Sequence, residues 1–427
     1  MARRHDGGGP AVVVTVDPAQ LDLSDFVRPG DTITWGQACG EPQTLTEALV
    51  AQRSRIGRMR AFVGLPATDT LKPEHADLIE MASYCGTGSN RKLAQAGVLD
   101  IYPGHYSTVP WLLSDGPYRV DVVLVQVAPP DGNGRYSLGL ADEMLSSAIR
   151  AATLVIAEVN DQVPQAHGPG SLTEADIDVL VHTSRPPAVV RSAAPSPESD
   201  RIGKLIADLV DDGATLQLGI GAIPEAVLKG LTGHKNLGIH SGAIGDGVVD
   251  LVERGVVTGA CKSVDRGITV AGLIMGTQKV FDHVHRNPQF ALRDTRYTHS
   301  HDVLAAQHRL VAINSAIEVD LTGQINAEVA GGSYVGAVGG GADFLRGAAG
   351  SPGGLPIVAL PSTARGRSRI VPELSGPVST SRADVGLVVT EFGIVDLRGL
   401  TLAERRHRLI EIAHPDHRAE LAESAGR

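Results

Sequence analysis

The sequence predicts an α/β protein of two domains with mainly parallel sheets, and three observations carry that expectation. From Ala11 onward, short β-branched runs alternate with stretches of helical spacing. Asp121-Val-Val-Leu-Val-Gln-Val127 is apolar almost throughout, as strands covered on both faces are. Between about Thr183 and Ser199 the chain turns Pro- and Ser-rich, with Arg185-Pro-Pro and Ala194-Pro-Ser-Pro, a composition that suits a linker. The boundary is therefore placed near residue 190, giving domains 1–190 and 191–427.

In order, Val12–Val16 and Asp31–Trp35 are strand candidates, and Gln43–Arg53 has helix spacing. Gly86–Asn90 is a polar turn before a short helix. Tyr102–Pro110 reads as a loop, its two prolines forbidding regular pairing. The strand Asp121–Val127, a sharp turn at Pro129–Gly134, a helix over Asp142–Ala152 and a strand over Thr153–Val159 make a strand–helix–strand unit. The second half begins with a helix over Ile202–Val210 and a strand over Ala214–Leu218. Leu237–Leu251 reads as a short buried strand, a Gly-rich crossing and a helix begun at Asp246.

The 427 residues suffice for two or three domains with full cores. With 42% hydrophobic and 20% charged residues, the composition is that of a soluble globular protein. A net charge of −10 argues against nucleic-acid binding but leaves room for a local basic pocket. No run approaches the roughly 18 apolar residues of a membrane span, and Met1-Ala-Arg-Arg-His-Asp6 is followed by glycines rather than a signal core. A cytoplasmic protein is expected. Cys39, Cys85 and Cys261 show no metal spacing and read as core or turn residues. Only seven of the 38 Lys+Arg are lysine, a bias that hints at a GC-rich bacterial genome. His283, His285, His299, His301 and His308 do not converge with carboxylates or cysteines, so no metal is expected and the cluster reads as a solvated helix and loop.

Three glycine clusters are candidate ligand sites. Gly219-Ile-Gly-Ala-Ile-Pro224 follows a strand and opens a helix over Glu225–Leu231; free N–H groups there can face an anion or a polarised carbonyl oxygen. Gly242, Gly245 and Gly247 let backbone approach a ligand closely. Gly331–Phe344 is the third. Glu318 and Asp320 are expected on one strand face, ordering neighbouring backbone.

These segments resemble the acetyl-CoA hydrolase/transferase family, which includes 4-hydroxybutyrate CoA-transferase and succinyl-CoA:acetate CoA-transferase. The resemblance runs through Gln126-Val-Ala-Pro-Pro-Asp-Gly, Ile156-Ala-Glu-Val-Asn-Asp-Gln-Val-Pro164, Ile313–Glu328, Ile357-Val-Ala-Leu-Pro-Ser-Thr-Ala364 and Ser368-Arg-Ile-Val-Pro372. It implies two related CoA-transferase-type (NagB/RpiA-like) domains and a homo-oligomer. It also implies a coenzyme A thioester as substrate, no permanently bound cofactor, and small-molecule partners only: an acyl-CoA and an acceptor, with neither nucleic acid nor membrane. CoA contacts fall on Gly219, Ile220, Gly221, Ala222, Ile223, Ile317 and Gly340, and substrate contacts on Gly242, Asn314 and Gly341. The family's nucleophilic Glu matches Gly242, and Gly341 also replaces a larger polar residue.

Glycine cannot form the anhydride and glutamyl–CoA intermediates of that mechanism, and loss of a nucleophile costs on the order of 10⁴–10⁶ in turnover. The expected chemistry is direct attack of water or an acceptor on the thioester, with backbone N–H groups of the Gly219–Pro224 loop stabilising the oxyanion. His240, Ser241, Asp246 and Glu328 are the candidate assisting groups. Two alternatives stand: a carboxylate CoA-transferase using another carboxylate such as Glu328, and a non-catalytic CoA-ester binding protein.

Overall fold

The computed structural model describes residues 13–425; Met1–Asp6 and Val12, read above, lie outside them. The chain divides into two units, Met1–Arg191 with Ala271–Tyr297, and Ser192–Val270 with Thr298–Arg427. The first unit thus takes back a segment from the second half, which a division into two continuous stretches does not contain.

In the first unit, eight strands form one sheet in the order β1-β8-β7-β6-β2-β3-β4-β5, every pair parallel. They are β1 (Val14–Val16), β2 (Thr32–Trp35), β3 (Met59–Val63), β4 (Ile79–Ser83), β5 (Leu99–Ile101), β6 (Val122–Val127), β7 (Leu154–Asn160) and β8 (Val179–Thr183). All six residues of β6 are buried, because parallel strands with helices on their faces have no solvated side. Leu45 and Leu49 of the helix Gln43–Ile56 join Ile33, Ile79 and Met81 in the core beneath it.

Two local expectations change. The loop Tyr102–Pro110 runs into a helix, Val109–Ser114, because Pro110 stands in its first turn, where no N–H is needed. The helix expected from Asp142 starts only at Leu145. Glu143 has φ +33°, outside helical space, and its carbonyl accepts the Thr295 N–H.

In the second unit, β9 (Thr215–Leu218) lies parallel between β10 (Gly238–Ile244) and the strand Leu310–Ser315. Leu355–Ala359 and then Leu387–Thr390 continue the sheet in parallel, and Gly393–Asp396 closes it antiparallel. Parallel pairing places the carboxyl ends of five consecutive strands along one edge, where ligands bind in open α/β sheets. The Pro/Ser-rich stretch ends as a helix, Pro197–Ala207, which starts before the expected Ile202 and takes in part of the stretch read as linker. Ser196 Oγ accepts the Ser199 N–H, and Pro197 fills the first turn. Cys39 and Cys85 are buried and Cys261 is exposed, none of them in a disulfide.

Candidate active site

The candidate residues collect at the carboxyl ends of the second unit's strands. After β9, Gly219 and Gly221 lead into the helix Ala222–Gly230, which begins three residues before Glu225 because Pro224 is accepted in its first turn. A Cβ at Gly219 or Gly221 would meet nothing within 4 Å, and Gly221 has φ +138°. The turn is therefore open to an incoming group, and its backbone conformation favours glycine.

The next strand does not turn at its glycine. β10 runs through Gly242 to Ile244, so the expected crossing is extended strand. Gly247 faces another helix rather than a ligand: a Cβ there would lie 2.7 Å from Glu225 Oε2 and 2.9 Å from Leu228 Cδ1. Of the two polar side chains before Gly242, Ser241 donates its hydroxyl to the Leu218 carbonyl at 2.9 Å, tying the end of β10 to β9. His240 is fully buried, and its Nε2 lies 3.2 Å from the Thr298 carbonyl oxygen. Only a protonated nitrogen can bond there, which fixes the tautomer.

Gly242 is half-buried, and the space beside it is not empty. A Cβ at Gly242 would lie 3.2 Å from His299 Cε1, 3.4 Å from its Nε2 and 3.5 Å from Phe344 Cε2. At Gly340 it would lie 2.5 Å from His299 Nε2. The imidazole of His299 is thus wedged between two glycines. Its Nδ1 sits 2.9 Å from Thr298 Oγ1, and its ring packs on Phe344 with centroids 4.5 Å apart. Burial, reinforced by the nearby His240, pushes its pKa down to about 3, so the ring is uncharged at neutral pH.

His299 was expected among solvated histidines, and the structure corrects this: it is 7% exposed, whereas His285, His301 and His308 are exposed. No local pattern marks it, since it follows the four-residue helix Thr295–Thr298 and is buried by residues distant in sequence. Among the described residues no group of His, Cys, Asp and Glu is arranged to hold a metal ion.

Gly341 differs from Gly340. Its nearest neighbour to a Cβ would be Asn314 Oδ1 at 3.7 Å, an ordinary contact. Asn314, at the end of Leu310–Ser315, donates to Gln217 Oε1 of β9 at 3.0 Å. The structure therefore places Gly219, Gly242 and Asn314 at or just after adjacent strand ends, and Ala222, Ile223, Gly340 and Gly341 at the starts of the helices Ala222–Gly230 and Gly341–Gly350. Ile317 is half-buried; its N–H donates to the Asn326 carbonyl, and its own carbonyl accepts from Arg369 Nε at 2.8 Å. Glu328 is buried and committed elsewhere, with Ser379 Oγ at 2.6 Å on one oxygen and the Tyr334 hydroxyl at 2.8 Å on the other. Asp320 accepts the N–H groups of Thr322 and Gln324, and Glu318 that of Ser375, so both order backbone as expected.

The family models for the acetyl-CoA hydrolase/transferase N-terminal and C-terminal domains match residues 20–191 and 276–425. The chain belongs to the acetyl-CoA hydrolase/transferase family. It is 38% identical to the 4-hydroxybutyrate coenzyme A transferase of Clostridium kluyveri, with 96% of each chain covered. It is 44% identical to a succinyl-CoA:acetate/propanoyl-CoA:succinate CoA transferase of Fasciola hepatica, over 79% of this chain and 72% of that one. The crystal structure of RipA from Yersinia pestis has the same fold, with a TM-score of 0.90 at 34% identity and 97% of each chain covered. This family member is an acyl-CoA transferase/hydrolase enzyme with the CoA-transferase fold.

The first unit holds a buried polar cluster that sequence reasoning did not single out. Glu143 accepts the Tyr106 hydroxyl at 2.7 Å and a bond from Gln37 Nε2, and Tyr84 donates to Gln37 Oε1 at 2.8 Å. Burial raises the Glu143 carboxyl to about 8 against these hydrogen bonds, and raises neighbouring Asp142 to about 7. Only the irregular backbone at Glu143, invisible in composition, brings the carboxyl inside.

Proposed function

We infer that this enzyme binds an acyl-CoA along the strand ends of the second unit and catalyses direct attack on the thioester by water or a small acceptor. The oxygen or nitrogen of the attacking group bonds to the carbonyl carbon, the C–S bond breaks, and the departing CoA sulfur takes up a proton. Backbone N–H groups at the open Gly219–Ala222 turn suit the carbonyl oxygen that becomes anionic in the transition state. The observation that carries the reading is the pairing of Gly242 with a wedged, neutral His299: the position that the resemblance assigns to a nucleophilic carboxylate faces an imidazole and a phenyl ring. CoA acts here as a diffusible substrate, and the enzyme works as a cytoplasmic homo-oligomer.

A second reading, CoA transfer between carboxylates, is supported by the CoA-transferases among the relatives. It requires a carboxylate other than Glu328 in its present bonds, since both oxygens of Glu328 are occupied by hydroxyls. Mass-spectrometric product analysis separates the two. The purified protein is given a panel of acyl-CoAs with water, acetate, and amine or alcohol acceptors offered separately. Acyl transfer to water or a non-carboxylate acceptor, with no adduct on the protein, is the expected result. A CoA adduct on Glu or Asp with transfer to acetate would replace it by the second reading, and binding without turnover by a CoA-ester binding role.

A further inference from the structure

Asp142, in the first unit, carries a carboxyl group that the chemistry above does not use. It is 1% exposed, its N–H donates to the Gly272 carbonyl at 3.1 Å, and its Oδ1 accepts a bond from the Ser146 hydroxyl. Among the described residues Oδ2 accepts no hydrogen bond and makes no ion pair. The side chain borders a recess of about 150 Å³ whose walls include Ser137, Gly168, Gly170, Ser171 and Leu292.

Two of those walls are glycines that stand against oxygen. A Cβ at Gly168 would lie 2.3 Å from the Leu292 carbonyl oxygen, and one at Gly170 2.5 Å from Asp142 Oδ2. Neither glycine has a positive φ, so closeness rather than backbone conformation excludes a side chain there. The Ser137 hydroxyl donates to the Ala166 carbonyl at 2.7 Å, and the Ser171 hydroxyl to the Gly168 carbonyl at 3.2 Å. With those protons committed, the hydroxyls have only lone pairs left to offer. Every polar side chain on the walls is then an acceptor. Of the charged groups that reach Asp142, the Asp294 carboxylate outweighs the Arg293 guanidinium. Arg150 and Arg296 lie on Asp294, at 3.5 and 3.4 Å, Glu143 is turned toward Gln37 and Tyr106, and His167 beside Gly168 is exposed.

We propose that this recess binds a monovalent cation of sodium or potassium size, held by the Asp142 carboxylate with carbonyl and hydroxyl oxygens around it. The proposal is independent of the acyl-CoA reading. A buried carboxylate must be paired or give up its charge. Burial already raises Asp142 to about 7, and a cation in the recess supplies the missing partner instead of a proton. One carboxylate balances one positive charge, and carbonyl oxygens can replace the hydration shell of such an ion. A divalent ion takes six or more oxygens, typically with several carboxylates, and no second carboxylate stands among the walls. Binding exchanges the Asp142 proton for the cation, and would tie the Gly168–Ser171 segment and Leu292 to the turn that carries Glu143.

The test follows thermal melts of the full chain in sodium, potassium and tetramethylammonium chloride at equal ionic strength, with sodium NMR line widths as the direct readout of binding. At about pH 8.5 wild type is expected to melt about 1–3 °C higher in sodium or potassium than in tetramethylammonium, which is too large for the recess, and the rise should saturate with concentration. At about pH 5.5 the difference should vanish, because the proton then holds the carboxylate. Asp142→Asn should abolish both the rise and the sodium broadening. Ser171→Ala keeps the carboxylate and the fold while removing one oxygen, and should raise the half-saturating concentration several-fold with the same plateau. That variant and the pH comparison decide the question if Asp142→Asn does not fold. Equal melting in the three salts at the higher pH overturns the proposal. So does a rise that never saturates, one that persists at the lower pH or in Asp142→Asn, or one whose midpoint Ser171→Ala leaves unchanged.

Discussion

Installing a glutamate at position 242 tests the site most directly, because the structure says what the new side chain would meet. The Cβ alone would sit 3.2 Å from His299 Cε1 and 3.4 Å from Nε2, so the imidazole must shift by a few tenths of an ångström. It has little room to do so: the Thr298 hydroxyl lies against Nδ1, the tilted Phe344 ring packs on it, and Gly340 stands so close to Nε2 that not even a methyl group would fit between them. Gly242→Ala is expected to cost up to about 1 kcal/mol, and Gly242→Glu about 1–3 kcal/mol, the usual range for overpacking a closed site. A carboxylate beside His299 would recover part of this by favouring the protonated ring. Removing the imidazole by His299→Ala opens the space, so Gly242→Glu should cost little in that background. The two substitutions should be non-additive by about 1 kcal/mol or more. The assay is a double-mutant cycle of urea melts followed by circular dichroism, run beside mass spectrometry for a CoA adduct. That adduct, if it forms, is expected only in the double variant. Additive costs, or a Gly242→Glu protein as stable as wild type, would refute the claim that His299 fills this place.

Other outcomes follow from the same contacts. Ser241→Ala removes a hydroxyl bonded to the Leu218 carbonyl and should lower stability by about 0.5–1.5 kcal/mol. Acyl-CoA turnover should stay within a few-fold of wild type, whereas a loss near a thousandfold would make Ser241 a nucleophile. Glu143 keeps its proton up to about pH 8 when folded against an ordinary value of 4.5. The folded state therefore binds the extra proton between those values, and stability falls as pH rises through that window, on the order of 3–5 kcal/mol in total. Glu143→Gln should flatten this limb in urea melts taken from pH 5 to 8; an unchanged slope would assign the limb to other groups. His299 acts in the opposite sense. Its pKa near 3, against 6.5 when unfolded, means stability is present above pH 6.5 and is lost as pH falls toward 3. His299→Gln should make the loss between pH 6.5 and 4 shallower, and equal acid sensitivity would count against a buried neutral ring.

By itself the sequence determined the fold class and the line of the site. The apolar β6 run, the alternation of strands and helices and the glycine turns are local signals, because burial on both faces and open backbone geometry each demand particular residue types at adjacent positions. Family resemblance added the strand ends near which Gly219, Gly242 and Asn314 fall, and the helix start at Gly340. It did not reveal that the place beside Gly242 is occupied. That depends on His299, some 57 residues further on, and on Phe344, brought to β10 by packing between distant segments. Nor could it separate Gly340, where His299 forbids a side chain, from Gly341, where ordinary space remains. The burial of Glu143 and the commitment of Ser241 and Glu328 to hydrogen bonds were likewise decided in three dimensions. A side chain's chemistry is written in its residue type. Whether that chemistry is available is set by neighbours that only the tertiary fold brings within bonding distance.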